Sequence, residues 1–368
     1  MADMTVESFV ADRSDGPVGQ PSWLVRVRSF ALPVATNLWP LLLFVSQKAF
    51  VIPGLILVGF GDGAYRRDLL IASLASVCGL LVYLTQFHNA YDQVHLIGFL
   101  LFIWSVPVLN HATRFDAIGL RRILTYLTLF NVIMGFFLLV TEIDLYGLRG
   151  LNRVVGADGE THRVYFESSS LAAVALATTF RRRWLQVAVV VSVLAFMIFV
   201  ARSVAIIVLL AANLGLPYIL RSTPAVKIMI AILGAAFLYV LYLYLPVLRP
   251  DVDLSLRAKQ FQFDVILGSF DGWSGLGWGT YFPVLSSDPE QPYQIEMQLP
   301  MLLLQLGPLA LATLALSIWM HFANCAERQW YAFGRFVIFM AIGFNNPWLF
   351  LPSWFLTCQL LFRYERAE

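Results

Sequence analysis

The stretch IMIAILGAAFLYVLYLYLPVL, residues 228–248, carries no charged side chain. A helix needs about 20 mostly apolar residues to cross the hydrocarbon core of a bilayer, and this run is long enough. Working outward, comparable runs occupy 69–85, 94–111, 123–141, 184–201, 203–220 and 297–322. Weaker ones cover 168–180, 329–345 and 348–362, and in the second of these Arg335 must snorkel or face protein. Residues 30–60 hold Pro33, Pro40, Pro53 and Lys48. They read as one long span or as two short ones meeting near Ser46–Lys48.

The composition agrees. The chain has 368 residues, 59% hydrophobic and 13% charged, with a mean hydropathy of +0.73. Soluble domains carry about 25% charged residues, so the deficit marks a membrane protein. A net charge of +2 gives no reason to expect a nucleic-acid partner. Cys78, Cys325 and Cys358 lie in or beside apolar runs and far apart, which argues against a disulfide framework or a zinc site. The five histidines are scattered without metal-ligand spacing, so no metal and no cofactor are expected. Residues 1–22 are polar and the first apolar run starts near Phe30, late for a signal peptide. Residues 1–28 therefore read as a cytoplasmic tail and 29–368 as a single transmembrane domain.

Positive charge orients the chain. Arg66/Arg67, Arg114/Arg121/Arg122, Arg181–Arg183, Arg221/Lys227, Arg328/Arg335 and Arg363/Arg366 fall on alternate connections. If 30–60 crosses twice, Arg13, Arg26 and Arg28 join them, and 17 of the 25 Lys/Arg lie inside with 8 outside. The expectation is an all-α polytopic membrane protein of about twelve transmembrane helices with both termini cytoplasmic. Eleven spans with the N-terminus outside is the alternative. The two longest connections, 142–167 and 249–296, are then external, the second holding a short amphipathic helix. No GxxxxGK[ST] loop occurs, which excludes P-loop ATP chemistry. Chemistry on the outer face has no nucleotide sugars to draw on, so an activated donor must be carried by a lipid.

Most charges of the outer loops read as solvated. Arg202 differs, because only Ala201 and Ser203 separate it from the apolar runs on either side. A charge there is costly unless paired; it snorkels at the interface or serves as a fork for phosphate oxygens. Arg163 precedes Glu167 and Ser168–Ser170, which can cap a following helix. Such a helix start attracts anions. In SLRAKQFQFDVILGSFDGWSGLGWGTYF, residues 255–282, the spacing predicts a helix over 254–268. Arg257, Gln260, Phe261 and Asp264 share one of its faces. Trp273, Trp278 and Tyr281 follow in a glycine-rich turn, where they stack on sugar rings or form an interfacial aromatic belt. Glu296 opens the span that starts at Met297, either as a carboxylate stabilised by the helix dipole or as a general base.

Four of these stretches together resemble the O-antigen ligase and polymerase superfamily of bacterial envelope glycosyltransferases. They are Arg163-Val-Tyr-Phe-Glu-Ser-Ser-Ser, Ala201-Arg-Ser-Val-Ala, Arg257 to Gly268 with Gly275-Leu-Gly-Trp-Gly, and Glu296 with Leu302-Leu-Leu-Gln-Leu-Gly-Pro-Leu. The resemblance spans roughly residues 60–340. It implies a membrane-embedded, GT-C-like, metal-independent inverting transferase of the bacterial inner membrane, its active site facing the periplasm. The donor would be an undecaprenyl-diphosphate-linked oligosaccharide and the acceptor a growing polysaccharide. Arg163, Arg202 and Arg257 would hold the diphosphate, with Lys259 a weaker addition. Gln260, Glu167, Trp273, Trp278 and Tyr281 are the further substrate-binding candidates. Glu296 and Arg257 are the catalytic ones. Ligases of lipid A core generally have a histidine where this chain has Glu296, which favours a polymerase of exopolysaccharide, capsule or O-antigen repeats. The ligase is the runner-up, and a polytopic lipid or sugar transporter or an export scaffold are the readings from other classes. A chain-length-regulating or export protein is the partner such a polymerase leaves room for.

Overall fold

The computed structural model describes residues 26, 29–31, 34–35, 38–39, 42, 50–60, 66–86, 88–89, 92–115, 129–130, 132–141, 151–155, 161–166, 183–248, 252–270, 274–280, 282, 284, 297–325, 329–344 and 349–360. Their helices are α1 (Val51–Phe60), α2 (Arg66–Thr85), α3 (Asp92–Phe115), α4 (Val132–Thr141), α5 (Arg183–Phe199), α6 (Val204–Arg221), α7 (Pro224–Leu248), α8 (Val252–Gly268), α9 (Gln298–Cys325), α10 (Gln329–Ala341) and α11 (Pro352–Leu360). Four are long and apolar enough to cross a membrane, within Arg66–Thr85, Asp92–His111, Pro224–Val247 and Gln298–Asn324. The chain is a multi-pass membrane protein of helical architecture. The apolar runs at 69–85, 94–111, 184–201, 203–220, 228–248 and 297–322 each became a helix within a few residues of their expected ends. The run 168–180 and most of 30–50 lie outside the described residues.

One connection departs from an all-α fold. Leu151–Val155 (β1) and Thr161–Phe166 (β2) pair antiparallel, with Leu151 opposite Phe166, Val154 opposite Arg163 and an irregularity between Val154 and Val155. The physical reason is local. Valine, threonine, tyrosine and phenylalanine favour the pleated backbone, and the intervening sequence carries Gly156, Asp158 and Gly159, which suit a tight reversal.

The core is built by α1, α2, α3, α9, α10 and α11. α2 packs on both α3 and α9, α3 on α1 and α11, and α10 on α9 and α11. Phe102 stacks on Phe339 at 6.0 Å, and Phe322 lies 4.9 Å from Phe355, all buried. Trp354 is buried with them and donates its indole N–H to the Phe339 carbonyl at 3.0 Å. α5 and α6 pack together, and α6 joins the bundle through α10. Arg335 on α10 is 1% exposed, so of its two expected fates it faces protein.

α7 contrasts with this core. Ile228, Ile232, Leu233, Phe237, Tyr239, Tyr242 and Val247 are all exposed, on every side of the helix. A helix that is apolar all round and unburied by its own chain is a helix dressed for lipid.

α9 is broken. Gly307 has φ 75 and ψ 166, and Pro308 follows it. Positive φ suits glycine, and proline supplies no N–H to the preceding turn. The break leaves carbonyls without helical partners, which hydrocarbon cannot satisfy. Three are taken by other parts of the chain. Leu276 N–H donates to Leu304 at 2.9 Å, Gly277 N–H to Gln305 at 2.9 Å, and Gln86 Nε2 to Leu306 at 3.3 Å.

Candidate functional site

The segment after α8 turns into the bundle. Gly275, Gly277, Trp278, Gly279 and Thr280 are buried. Gly275 lies so close to α9 that a Cβ there would stand 2.2 Å from the Gln305 carbonyl oxygen. Gly277 and Gly279 have φ 91 and 72, which side chains on L-residues resist. Trp278 is 1% exposed, packs 5.3 Å from Phe99 and donates its indole N–H to the Gly79 carbonyl. From the turn between α2 and α3 the segment is gripped by Asn89. Its Nδ2 donates to the carbonyls of Leu276 and Trp278, both at 3.1 Å, and to Thr280 Oγ1 at 3.3 Å. The glycines that read as a surface turn allow close approach to a broken helix. Trp278 lies in the bundle interior, away from solvent and from a membrane-surface belt.

This anchoring fixes α8. Ile266, 3% exposed, sits against Met301 and Leu304 of α9, with Leu276 and Phe282 packed on the same cluster. Gln262 and Lys259 are half-buried on that side, one and two turns earlier. Arg257, Gln260, Phe261 and Asp264 are all exposed, as the helical spacing expected. Arg257 and Lys259 therefore lie on different faces of α8. α8 runs from 252, so Asp253 falls within its first turn.

Arg202 forms the corner between α5 and α6. It has φ 45, in the left-handed region, and is the one non-glycine residue with positive φ among those described. Val200 and Ala201 beside it are fully buried. The Ser203 N–H reaches back to the Met197 carbonyl at 3.1 Å, closing a left-handed helix-end turn one residue wider than a Schellman turn. That turn ordinarily takes glycine where this chain has arginine; the left-handed backbone costs such a residue about 1 kcal/mol. Arg202 is half-buried. Ser203 stands at the N-cap of α6 but makes no side-chain cap bond. A cation thus sits beside a helix N-terminus that its N-cap side chain leaves open, and both attract an anion.

For Arg163 only the place in β2 is described. Glu167, Trp273, Tyr281 and Glu296 lie outside the described residues. The structure thus joins α8, the 275–280 segment and α9 into one unit, and puts Arg202 on a separate corner of α5–α6.

A polar cluster that the sequence reading missed lies at the other end of the bundle. Asp68, fully buried, accepts from Asn324 and, at 3.4 Å, from Asn110. Gln359 Nε2 donates to Asn110 Oδ1 at 3.3 Å. Four helices, α2, α3, α9 and α11, are tied by these bonds. In sequence Asp68 passes for a loop charge next to Arg66 and Arg67; the signal was the asparagines set in apolar runs. The cluster places Arg66 and Arg67 at the end of the bundle where α9 finishes, opposite the 275–280 segment. Among the described residues no group of three or more His, Cys, Asp or Glu side chains is placed to hold a metal. Neither a protein-family model, nor a curated protein, nor a solved structure matches this chain.

Proposed function

We propose that this protein is a polysaccharide polymerase of the bacterial inner membrane. It joins undecaprenyl-diphosphate-linked repeat units on the outer face, by metal-independent inverting transfer. The observation that carries the reading is α8. It presents Arg257 on an exposed face, engaged by no acidic side chain among the described residues, and its far end is locked onto α9 by a buried glycine-rich segment. A leaving diphosphate needs positive charge that is in place before the bond breaks. A guanidinium on an anchored helix meets that need. Arg202, strained and beside an open helix start on its own corner, and Arg163 are the further phosphate forks that the sequence offers. Gln260 shares the exposed face of Arg257; Lys259, Glu167, Trp273 and Tyr281 are the further substrate contacts that the sequence offers. Trp278 acts through the fold, as the plug that holds α8. Glu296 is the base that the sequence offers for the acceptor hydroxyl.

A transporter would use the break in α9 as a ligand site, since broken helices lend their free backbone groups to substrates and ions. Here the carbonyls of Leu304, Gln305 and Leu306 are all engaged by the chain itself. That favours the transferase.

The test in cells is Arg257→Ala in a strain lacking the native copy. The reading expects high-molecular-weight polysaccharide to vanish while the protein accumulates in the membrane. Full-length polymer from that variant would remove the leaving-group argument.

A further inference from the structure

The turn between α2 and α3 carries a histidine–carboxylate pair that the arginine argument does not use. His88 Nδ1 lies 2.9 Å from Asp92 Oδ2. Asp92 opens α3, and its other oxygen accepts the Gln93 N–H at 2.6 Å. A carboxylate at a helix start interacts favourably with the helix dipole. Its side chain is 10% exposed, whereas that of His88 is 61% exposed. Tyr83 meets the imidazole edge-on at 5.0 Å. The next residue, Asn89, is the one that grips the 276–280 segment. The pair is therefore fixed at the end of the bundle to which α8 is anchored.

This arrangement has a chemical consequence. A carboxylate facing Nδ1 keeps the proton of the neutral ring there and leaves the lone pair on Nε2. The ring is open to solvent and its direction is set from behind.

We infer that His88, oriented by Asp92, takes the proton of the acceptor hydroxyl. The inference rests on the glycosyl-transfer reading and gives His88 the role for which the sequence offered Glu296. The acceptor oxygen bonds to the anomeric carbon of the donor. The bond from that carbon to the diphosphate oxygen breaks, and its electron pair leaves with the lipid diphosphate. The hydroxyl proton passes to His88 Nε2 and from there to bulk water. Asp92 is a positioning residue: it stabilises the imidazolium formed in between.

The experiment uses purified full-length protein and undecaprenyl-diphosphate-linked repeats. His88→Ala should lower turnover about 100-fold while the donor KM stays within about 3-fold of wild type, because the arginines still bind the diphosphate. Added imidazole should restore part of that turnover, and should do nothing for Arg257→Ala. His88→Gln, closer in volume, should lose turnover equally, and Asp92→Asn should lose about 10-fold or more. Wild-type turnover in His88→Ala overturns the inference. So does a loss that imidazole leaves untouched, and so does Glu296→Gln abolishing turnover while His88→Ala retains it. If the wild-type protein joins no repeats at all, the glycosyl-transfer reading itself falls.

Discussion

Trp278 donates its indole N–H to the carbonyl oxygen of Gly79, 3.0 Å away, from a position 1% exposed to solvent. A loop tryptophan has entered the interior and packed against Phe99. Trp278→Ala should then destabilise the protein by about 3–5 kcal/mol, read as a lower midpoint of thermal unfolding in detergent. An unchanged midpoint would mean that the ring does not fill the bundle.

Gly275 makes a finer test of the same anchor. A single added methyl meets backbone atoms of Gln305 and Leu306 in α9, which cannot rotate aside as a side chain can. Gly275→Ala should release the 275–280 segment. Limited proteolysis should then cut near Ser274, and polymer synthesis should fall with it. Resistance equal to wild type would show that the approach is looser than 2.2 Å.

At Arg202 backbone and charge can be separated. Glycine suits φ 45 better than arginine does, so Arg202→Gly should raise stability by about 1 kcal/mol and yet abolish polymer. Arg202→Lys keeps the charge and loses the planar fork, and should fall between. A stabilised but fully active Arg202→Gly would confirm the strained backbone and remove the phosphate role.

Asp68→Ala removes an acceptor shared by Asn110 and Asn324. Buried amides left unmatched cost about 1–3 kcal/mol, and the unfolding midpoint should drop. Arg257→Ala, in contrast, should leave that midpoint within error, because its side chain is exposed. Equal losses in the two variants would contradict the division between a structural and a functional end of the bundle.

Much of the fold was legible because apolar run length maps directly onto helices in a membrane. The run 228–248 became α7 and 297–322 became α9. Less legible was what happens where helices stop being regular. Leu302-Leu-Leu-Gln-Leu-Gly-Pro-Leu reads as one continuous span, yet Gly307 and Pro308 break it. The buried fate of Gly275-Leu-Gly-Trp-Gly depends on the carbonyls that this break exposes, and no local pattern connects segments so far apart. Asp68 was hidden by its neighbours Arg66 and Arg67, since burial is a tertiary property. The face of α8 bearing Arg257, Gln260, Phe261 and Asp264 was readable from spacing alone. Arg202 was singled out for its lack of a loop, whereas its left-handed backbone could be seen only in three dimensions. The pair His88 and Asp92 escaped notice because an i, i+4 spacing across a turn has no periodic signature.

The central claim is that arginines on the outer face stabilise a departing lipid diphosphate. Purified protein should be incubated with undecaprenyl-diphosphate-linked repeats, without nucleotide or added divalent metal, and the products resolved by size. A ladder of multiples of the repeat, with release of undecaprenyl diphosphate and loss of both on Arg257→Ala, is the result predicted. Unextended repeats from the wild-type protein, or an undiminished ladder from Arg257→Ala, would contradict it.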